Sequence, residues 1–236
     1  MSGGPAYWAV VPAAGSGRRM GVETPKQYLP LAGRRVIDHT LQRLLDHPRI
    51  GGLVVALSAD DGWWGQGDLA GDPRIRCVVG GQERCHSVLN ALNELQRIAA
   101  ADDWVLVHDA ARPCLRHGDV DRLIDQLSAD PVGGLLASPL HDTVKSSNDS
   151  QRVSETLPRE RLWRAFTPQM FRLAPLMHAL QAALTAGMLV TDEAGAMERL
   201  GQAPRLIEGH DDNIKITRKA DLPLAQFFLA QQGRLE

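Results

Sequence analysis

Cysteine is scarce in this sequence. Cys77, Cys85 and Cys114 are the only ones, and no two are spaced as CxxC. That excludes a disulfide framework and argues against a structural zinc site; buried thiols in a reducing compartment are the plain reading. Long apolar runs are also missing. Nothing approaches the ~20 residues that would span a bilayer, and the N-terminal stretch has no extended apolar core, so the expected location is the cytoplasm. Charge of one sign is not in excess: the formal net charge is −2, which gives no global field to recruit nucleic acid or a membrane surface. An anion site must therefore come from a local cluster. Several catalytic signatures are absent too: there is no GxSxG elbow, no HExxH and no GxxxxGK[ST] loop.

What is present is ordinary soluble-protein composition, with 44% apolar and 23% charged residues over 236 positions. That length suits a single α/β domain. Short β-rich runs at Ala9–Ala13, Leu53–Ser58, Arg76–Val79, Trp104–Val107 and Gly134–Ser138 alternate with helical patterns. Val36, Ile37, Thr40, Leu41, Leu44 and Leu45 follow one helical stripe, and Val88, Leu92, Leu95 and Ile98 another. The pattern predicts a Rossmann-like α/β fold, a mainly parallel sheet with helices on both faces. Further helices are expected over Ala174–Gly187, Asp192–Gly201 and Ala220–Gln231, with strands near Pro204–Glu208 and Asn213–Thr217.

One segment breaks the alternation. Leu140 to Leu157 is polar and β-leaning, with a hairpin-like turn at Ser147-Asn148-Asp149-Ser150. It reads as a β-arm inserted at about 139–160, projecting from the single domain 1–236. Such an arm has little core of its own, and a second subunit would support it.

Ligands in parallel sheets collect at the carboxyl ends of the strands, so the residues after each strand matter most. After the first comes PAAGSGRRM, then PKQYL. Gly15 and Gly17 permit tight turns and close backbone approach, and Arg18, Arg19 and Lys26 supply fixed positive charge suited to phosphate. A generic solvated strand–helix turn is the alternative. The loop is a poor dinucleotide fingerprint, because Met20 stands where the third glycine of GxGxxG belongs. After the third strand comes GGQERCHSV: Arg84 can face a phosphate or base and Ser87 can donate a hydrogen bond, although Ser87 or Gln82 would serve equally as a helix cap. After the fourth, VHDAARP places Asp109 where a carboxylate can hold Mg²⁺ beside substrate phosphates, with Arg112 close by; an Asp cap paired to an Arg is the bland reading, and His108 reads as structural. Later come Thr143 and Lys145 in the arm, Arg159 at its base, and Thr167 before Pro168 and Gln169. Thr191, Asp192 and Glu193 open a helix, where Thr191 would serve as a cap. Asp212 precedes the last expected strand and Lys215 lies in it. The set contains cations, hydroxyls and carboxylates but no nucleophile–base pair. This suggests nucleotidyl transfer in which the attacking group is already an ionised phosphate, so the protein positions polyanions and neutralises charge.

The motifs PAAGSGRRM, PKQYL, GGQERCHSV, VHDAARP, DTVK, LWRAFTPQ, TDEAGAM and DNIKIT, in this order, resemble those of the 2-C-methyl-D-erythritol 4-phosphate cytidylyltransferase family, from about Trp8 to Phe228. The resemblance implies transfer of CMP from CTP to methylerythritol phosphate with a divalent cation such as Mg²⁺, in a homodimer whose β-arms exchange. It implies that Arg19 and Lys26 stabilise the transition state, and that Pro12, Ala13, Ala14, Gly15, Gly17, Lys26, Gly81, Arg84, Ser87 and Ala110 form the nucleotide pocket. Asp109 would sit near metal and substrate. Arg159 and Lys215 would position the acceptor phosphate as part of the catalytic set, with Arg112, Thr143, Thr167 and Thr191 as other acceptor-side residues. Cys85-His86 departs from the familiar pattern in a variable segment, and Asp211 adds a carboxylate beside Asp212. A cytidylyltransferase for another polyol phosphate, such as ribitol 5-phosphate, would share the nucleotide side and differ at Thr143, Arg159, Thr167 and Lys215.

Overall fold

The computed structural model describes residues 5–15 and 24–235. Gly17, Arg18 and Arg19 of the basic loop lie outside the described residues. The strands are β1 (Tyr7–Pro12), β2 (Pro30–Leu31), β3 (Arg34–Arg35), β4 (Ile50–Leu57), β5 (Ile75–Val79), β6 (Trp104–Val107), β7 (Gly133–Pro139), β8 (Val144–Ser147), β9 (Val153–Leu157), β10 (Trp163–Arg172) and β11 (Arg205–Glu208). The helices are α1 (Val36–Leu45), α2 (Arg84–Leu95), α3 (His117–Leu127), α4 (Leu173–Thr185), α5 (Glu193–Arg199) and α6 (Asp221–Gln231).

A seven-stranded sheet runs β11-β7-β10-β6-β1-β4-β5. The β1·β4, β1·β6, β4·β5 and β7·β11 ladders are parallel, whereas β10 is antiparallel to both β6 and β7. The expected mainly parallel sheet is therefore present. Alternation along the strands divides the core. Ala9, Val11, Leu53, Val55 and Leu106 face α1 and α3, while Val10, Val54, Ala56, Val105 and Val107 face α2, α4 and α5. Both faces are covered, which is why these strands read as continuous apolar runs. A third, smaller cluster joins Leu31, Val36, Ala111, Cys114, Ile216, Ala225 and Leu229, and seats α6.

Besides the short pair β2 and β3, two longer elements go beyond the sequence reading. Helix α3 buries Val120, Leu123, Ile124 and Leu127 at helical spacing. Strand β10 contains Pro168, which cannot donate to a ladder, and its pairing with β7 is interrupted between Ala165 and Gln169. One expectation is corrected: Asn213–Thr217 is not a strand. Its alternation is real, since Ile216 packs into the third cluster while Lys215 and Thr217 face the cavity described below. Its neighbour, however, is the loop after β6. Ile216 N–H donates to Ala111 O at 2.8 Å, and the Asn213 carbonyl accepts from Arg112 instead of from a strand.

The expected hairpin exists as β8 and β9, a two-stranded sheet separate from the main one. No residue of either strand is fully buried. Its turn lies over Asn148–Arg152, where the Asn148 carboxamide oxygen accepts from the Ser150 and Arg152 amides. Lys145 Nζ donates across the pair to Thr156 Oγ1 at 2.7 Å.

Candidate active site

The loops after β1, β5 and β6 and the segment around Lys215 enclose a cavity of about 660 Å³. Pro12, Ala13, Ala14 and Gly15 form one wall and Gly81, Arg84 and Ser87 another. Lys26, Asp109, Ala110 and Lys215 complete the predicted set in its lining. Gln27, Glu83 and Thr217 also line it and escaped the sequence reading. Gln27 sits in the quoted PKQYL motif; buried at 4% exposure, its amide donates to Ala13 O at 2.7 Å and Gly15 O at 3.1 Å, fixing the glycine loop.

The two loops meet closely. A Cβ on Gly80 would lie 2.5 Å from Ala14 Cβ and 2.8 Å from Ser87 Oγ, so only glycine fits there. Ser87 is not a cap, although it lines the cavity. Its hydroxyl accepts from Gly81 N–H at 3.0 Å and reaches the Glu83 carbonyl at 3.2 Å, which shapes the Gly80-Gly81 turn. The N-cap of α2 is Glu83, whose amide donates to His86 Nδ1 at 3.3 Å.

Asp109 is the electrostatic centre. Arg84 Nε lies 3.2 Å from Oδ1, with Lys215 Nζ 2.9 Å and Arg112 Nε 3.2 Å from Oδ2. Burial alone would raise this carboxyl, but Arg84, Lys215 and Arg112 outweigh it and hold Asp109 far below the usual carboxylate range. Arg84 is clamped from behind: Nη1 and Nη2 donate to the two oxygens of Glu193 at 2.7 and 3.0 Å. Burial opposes the charged form of Arg84, yet Glu193 and Asp109 raise its pKa further. Glu193 is itself fully buried at the start of α5. The sequence reading quoted it without assigning it a role, and only the fold brings it to Arg84. Asp192, not Thr191, caps α5 by accepting from Gly195 N–H at 2.9 Å.

Arg112 lies behind the wall, where it also donates to the Asn213 carbonyl at 2.7 Å. Thr167 does not line the cavity. Its hydroxyl accepts from Asp109 N–H at 3.1 Å and contacts His108 Nδ1 at 2.9 Å. The Arg112 carbonyl can only accept, so the proton of the neutral ring sits on Nε2 and Nδ1 accepts from the Thr167 hydroxyl. His108 Nε2–H then donates to Arg112 O at 3.1 Å. His108 is thus a neutral strut, its pKa lowered by burial to about 4. Thr143, Arg159 and Thr191 are exposed and outside the lining. The Arg159 guanidinium donates to the His141 carbonyl. Asp211 pairs with Arg164, and Asp212 with Arg116, so neither serves this cavity.

Among the described residues, no group of three or more His, Cys, Asp or Glu side chains could hold a metal by itself. The carboxylates at the wall are Asp109 and Glu83. This donor set fits a hard divalent cation that takes most of its oxygens from substrate phosphates and one or two from protein carboxylates.

A mainly parallel α/β sheet with a glycine loop and a cluster of cations at its strand ends, and no nucleophile–base pair lining the cavity among the described residues, is the architecture of the nucleotidyltransferase class. The chain belongs, within it, to the 2-C-methyl-D-erythritol 4-phosphate cytidylyltransferase family: the family model described as "IspD: 2-C-methyl-D-erythritol 4-phosphate cytidylyltransferase" matches residues 7–231. A protein of that name from Pseudomonas fluorescens (strain SBW25) is 57% identical over 219 residues, covering 92% of this chain and 93% of the relative. Another from Pseudomonas syringae pv. tomato is 55% identical over 231 residues, covering 98% of each. The crystal structure of the Francisella tularensis 2-C-methyl-D-erythritol 4-phosphate cytidylyltransferase superposes with a TM-score of 0.83 at 36% identity, over 95% of this chain and all of that one. No helix among the described residues is long and apolar enough to cross a membrane.

Proposed function

We propose that the cavity seats CTP and the phosphate of 2-C-methyl-D-erythritol 4-phosphate, and that the chain transfers CMP between them in isoprenoid precursor synthesis. The observation that carries this reading is the convergence of Arg84, Arg112 and Lys215 on Asp109, beside the paired loops of Gly15 and Gly81. An acceptor phosphate oxygen attacks the α-phosphorus of CTP. A new P–O bond forms, the bond to the β-phosphate oxygen breaks, and pyrophosphate leaves with that electron pair. The products are 4-diphosphocytidyl-2-C-methyl-D-erythritol and pyrophosphate. The nucleophile arrives ionised, so no side chain has to remove a proton; this agrees with a neutral His108 locked in the wall.

The protein's work is to place two polyanions and neutralise the growing charge. Lys26 and Lys215, both at the cavity, do this together with Arg19. Arg84, clamped by Glu193, presents a guanidinium fixed in orientation. Asp109 keeps the cations from repelling one another and is the protein ligand for Mg²⁺. That ion, when bound, would draw charge from the triphosphate oxygens. Gln27 and Ser87 hold the loops that the nucleotide approaches.

Arg159 and Thr143 lie outside this chain's cavity because they serve the neighbour's. Exchange of the β8–β9 arms in a homodimer places them over the partner's acceptor site. The enzyme works in the cytoplasm, in keeping with its three unpaired cysteines.

Pyrophosphate release with Mg²⁺, CTP and each candidate acceptor tests the reading. Release with methylerythritol phosphate and CTP, but not with UTP or ATP, is expected. Release only with ribitol 5-phosphate would overturn the acceptor assignment. No release from the folded dimer would overturn the transfer itself.

A further inference from the structure

A second cavity, of about 500 Å³, lies away from the catalytic one, between α1 and the C-terminal end of the chain. Its walls include Arg34, Arg43 and Arg234. All three are half-buried, and none has a carboxylate within 4.0 Å among the described residues. Their hydrogen bonds go to neutral acceptors. Arg43 Nε donates to Leu115 O at 3.0 Å. Arg234 donates to Pro113 O at 2.7 Å and His39 O at 3.2 Å, and Arg34 makes one long contact of 3.4 Å with the Gln42 carboxamide. The catalytic cavity is built the other way, with Arg84, Arg112 and Lys215 each against Asp109.

Arg43 and Arg34 each act against the charge on Arg234, while Asp46 partly offsets this at Arg43 and Arg234. Burial, then the neighbouring Arg43, lowers Arg234 to about 10, and burial lowers Arg43. The imidazole of His39, at the same wall, is pushed down by burial and by Arg234 and Arg34, so it adds no charge near neutral pH. Asp46 is the acidic residue in the lining; it is exposed and accepts from the Gln42 amide at 2.7 Å. Among the described residues of the lining, three cations stand against one carboxylate, an excess of positive charge. The carbonyl contacts hold Arg43 and Arg234 in place, so little side-chain freedom remains to be lost when a ligand enters. Planar guanidinium forks match phosphate oxygens geometrically.

We infer that this cavity is a second anion site, which takes a phosphate or diphosphate group through Arg34, Arg43 and Arg234. The ligand is either the free inorganic ion or a small molecule bearing that group. Binding displaces no carboxylate of the described residues from the three arginines and relieves the repulsion among them.

Isothermal titration of the full-length protein with inorganic phosphate and, separately, inorganic pyrophosphate tests the site. The parent carries Lys26→Ala and Lys215→Ala to weaken binding in the catalytic cavity. The expected result is saturable binding of at least one of the two ions, weakened tenfold or more by adding Arg34→Glu and several-fold by Arg34→Gln. Whichever ion binds more tightly identifies the group. Arg34 has a single long contact, so an unchanged melting temperature checks that both variants fold. Binding that Arg34→Glu does not alter belongs to the catalytic cavity and overturns the inference, as does the absence of binding by either ion. The readout is affinity, not turnover, so it stands or falls independently of the proposed transfer reaction.

Discussion

Replacing Glu193 by Gln removes the counter-charge behind Arg84 and leaves Asp109 as its ion-pair partner among the described residues. Breaking one side of a buried pair typically costs about 3 kcal/mol. We expect a clear loss in denaturant midpoint for Glu193→Gln, together with a KM for CTP raised by about tenfold, because Arg84 loses its fixed orientation. Unchanged KM in a folded variant would remove Glu193 from the nucleotide site. Lys215→Ala should lower kcat far more than it raises the KM for CTP, by roughly a hundredfold, if it acts on charge that develops in the transition state. A loss confined to KM would contradict that role. His108 makes a pH prediction. Its folded pKa is lowered from 6.5 to about 4. The unfolded chain therefore takes up a proton that the folded chain refuses. The stability from this group is complete above about pH 6.5 and is lost as pH falls towards 4, by about 3 kcal/mol in all. His39, His47 and His117 are lowered too and add to the slope. Denaturation curves at pH 7 and pH 5 should show a smaller loss in His108→Gln than in the natural chain; equal losses would mean that His108 does not titrate as its burial requires.

Between elements, the closest constraint is the meeting of the loops after β1 and β5. Gly80→Ala would set its Cβ 2.5 Å from Ala14 Cβ, and neither backbone has room to yield without moving the cavity wall. Overpacking of this kind costs about 1–3 kcal/mol. A lower melting temperature and weaker CTP binding are expected. Gly62→Ala, where nothing lies within 4 Å, is the control and should change neither. The Asn213–Thr217 segment shows why alternation misleads. Ile216 and Lys215 do face opposite sides, but a strand needs a neighbouring strand to pair with, and this segment lies against the irregular loop at Ala111. Pro168 hid β10 for the converse reason: it interrupts one ladder locally, while Gln169–Arg172 still pair with Trp104–Val107.

Across the whole molecule, the order β11-β7-β10-β6-β1-β4-β5 brings residues from distant parts of the chain to one cavity. The arm remains apart from it, and that separation yields a test of the dimer. Chains carrying Lys215→Ala have a defective cavity and an intact arm; chains carrying Arg159→Ala have the reverse. Mixed, unfolded and refolded together in equal amounts, they should regain about one quarter of natural activity, since half the dimers are mixed and each has one complete site. No recovery would place Arg159 in its own chain's site. Much of this protein was determined locally in its sequence. Continuous apolar strands, helical stripes and the glycine–arginine loops announced a parallel α/β sheet and most of the cavity lining, because burial on both faces and close backbone approach leave marks on neighbouring residues. Tertiary structure alone decided that Arg84 is held by Glu193, that Thr167 and His108 support Asp109 from behind, and that Arg34, Arg43 and Arg234 share a cavity with no carboxylate of the described residues paired to them. These contacts join residues far apart in the chain, and charge pairing across such distances follows no periodicity that a sequence can display.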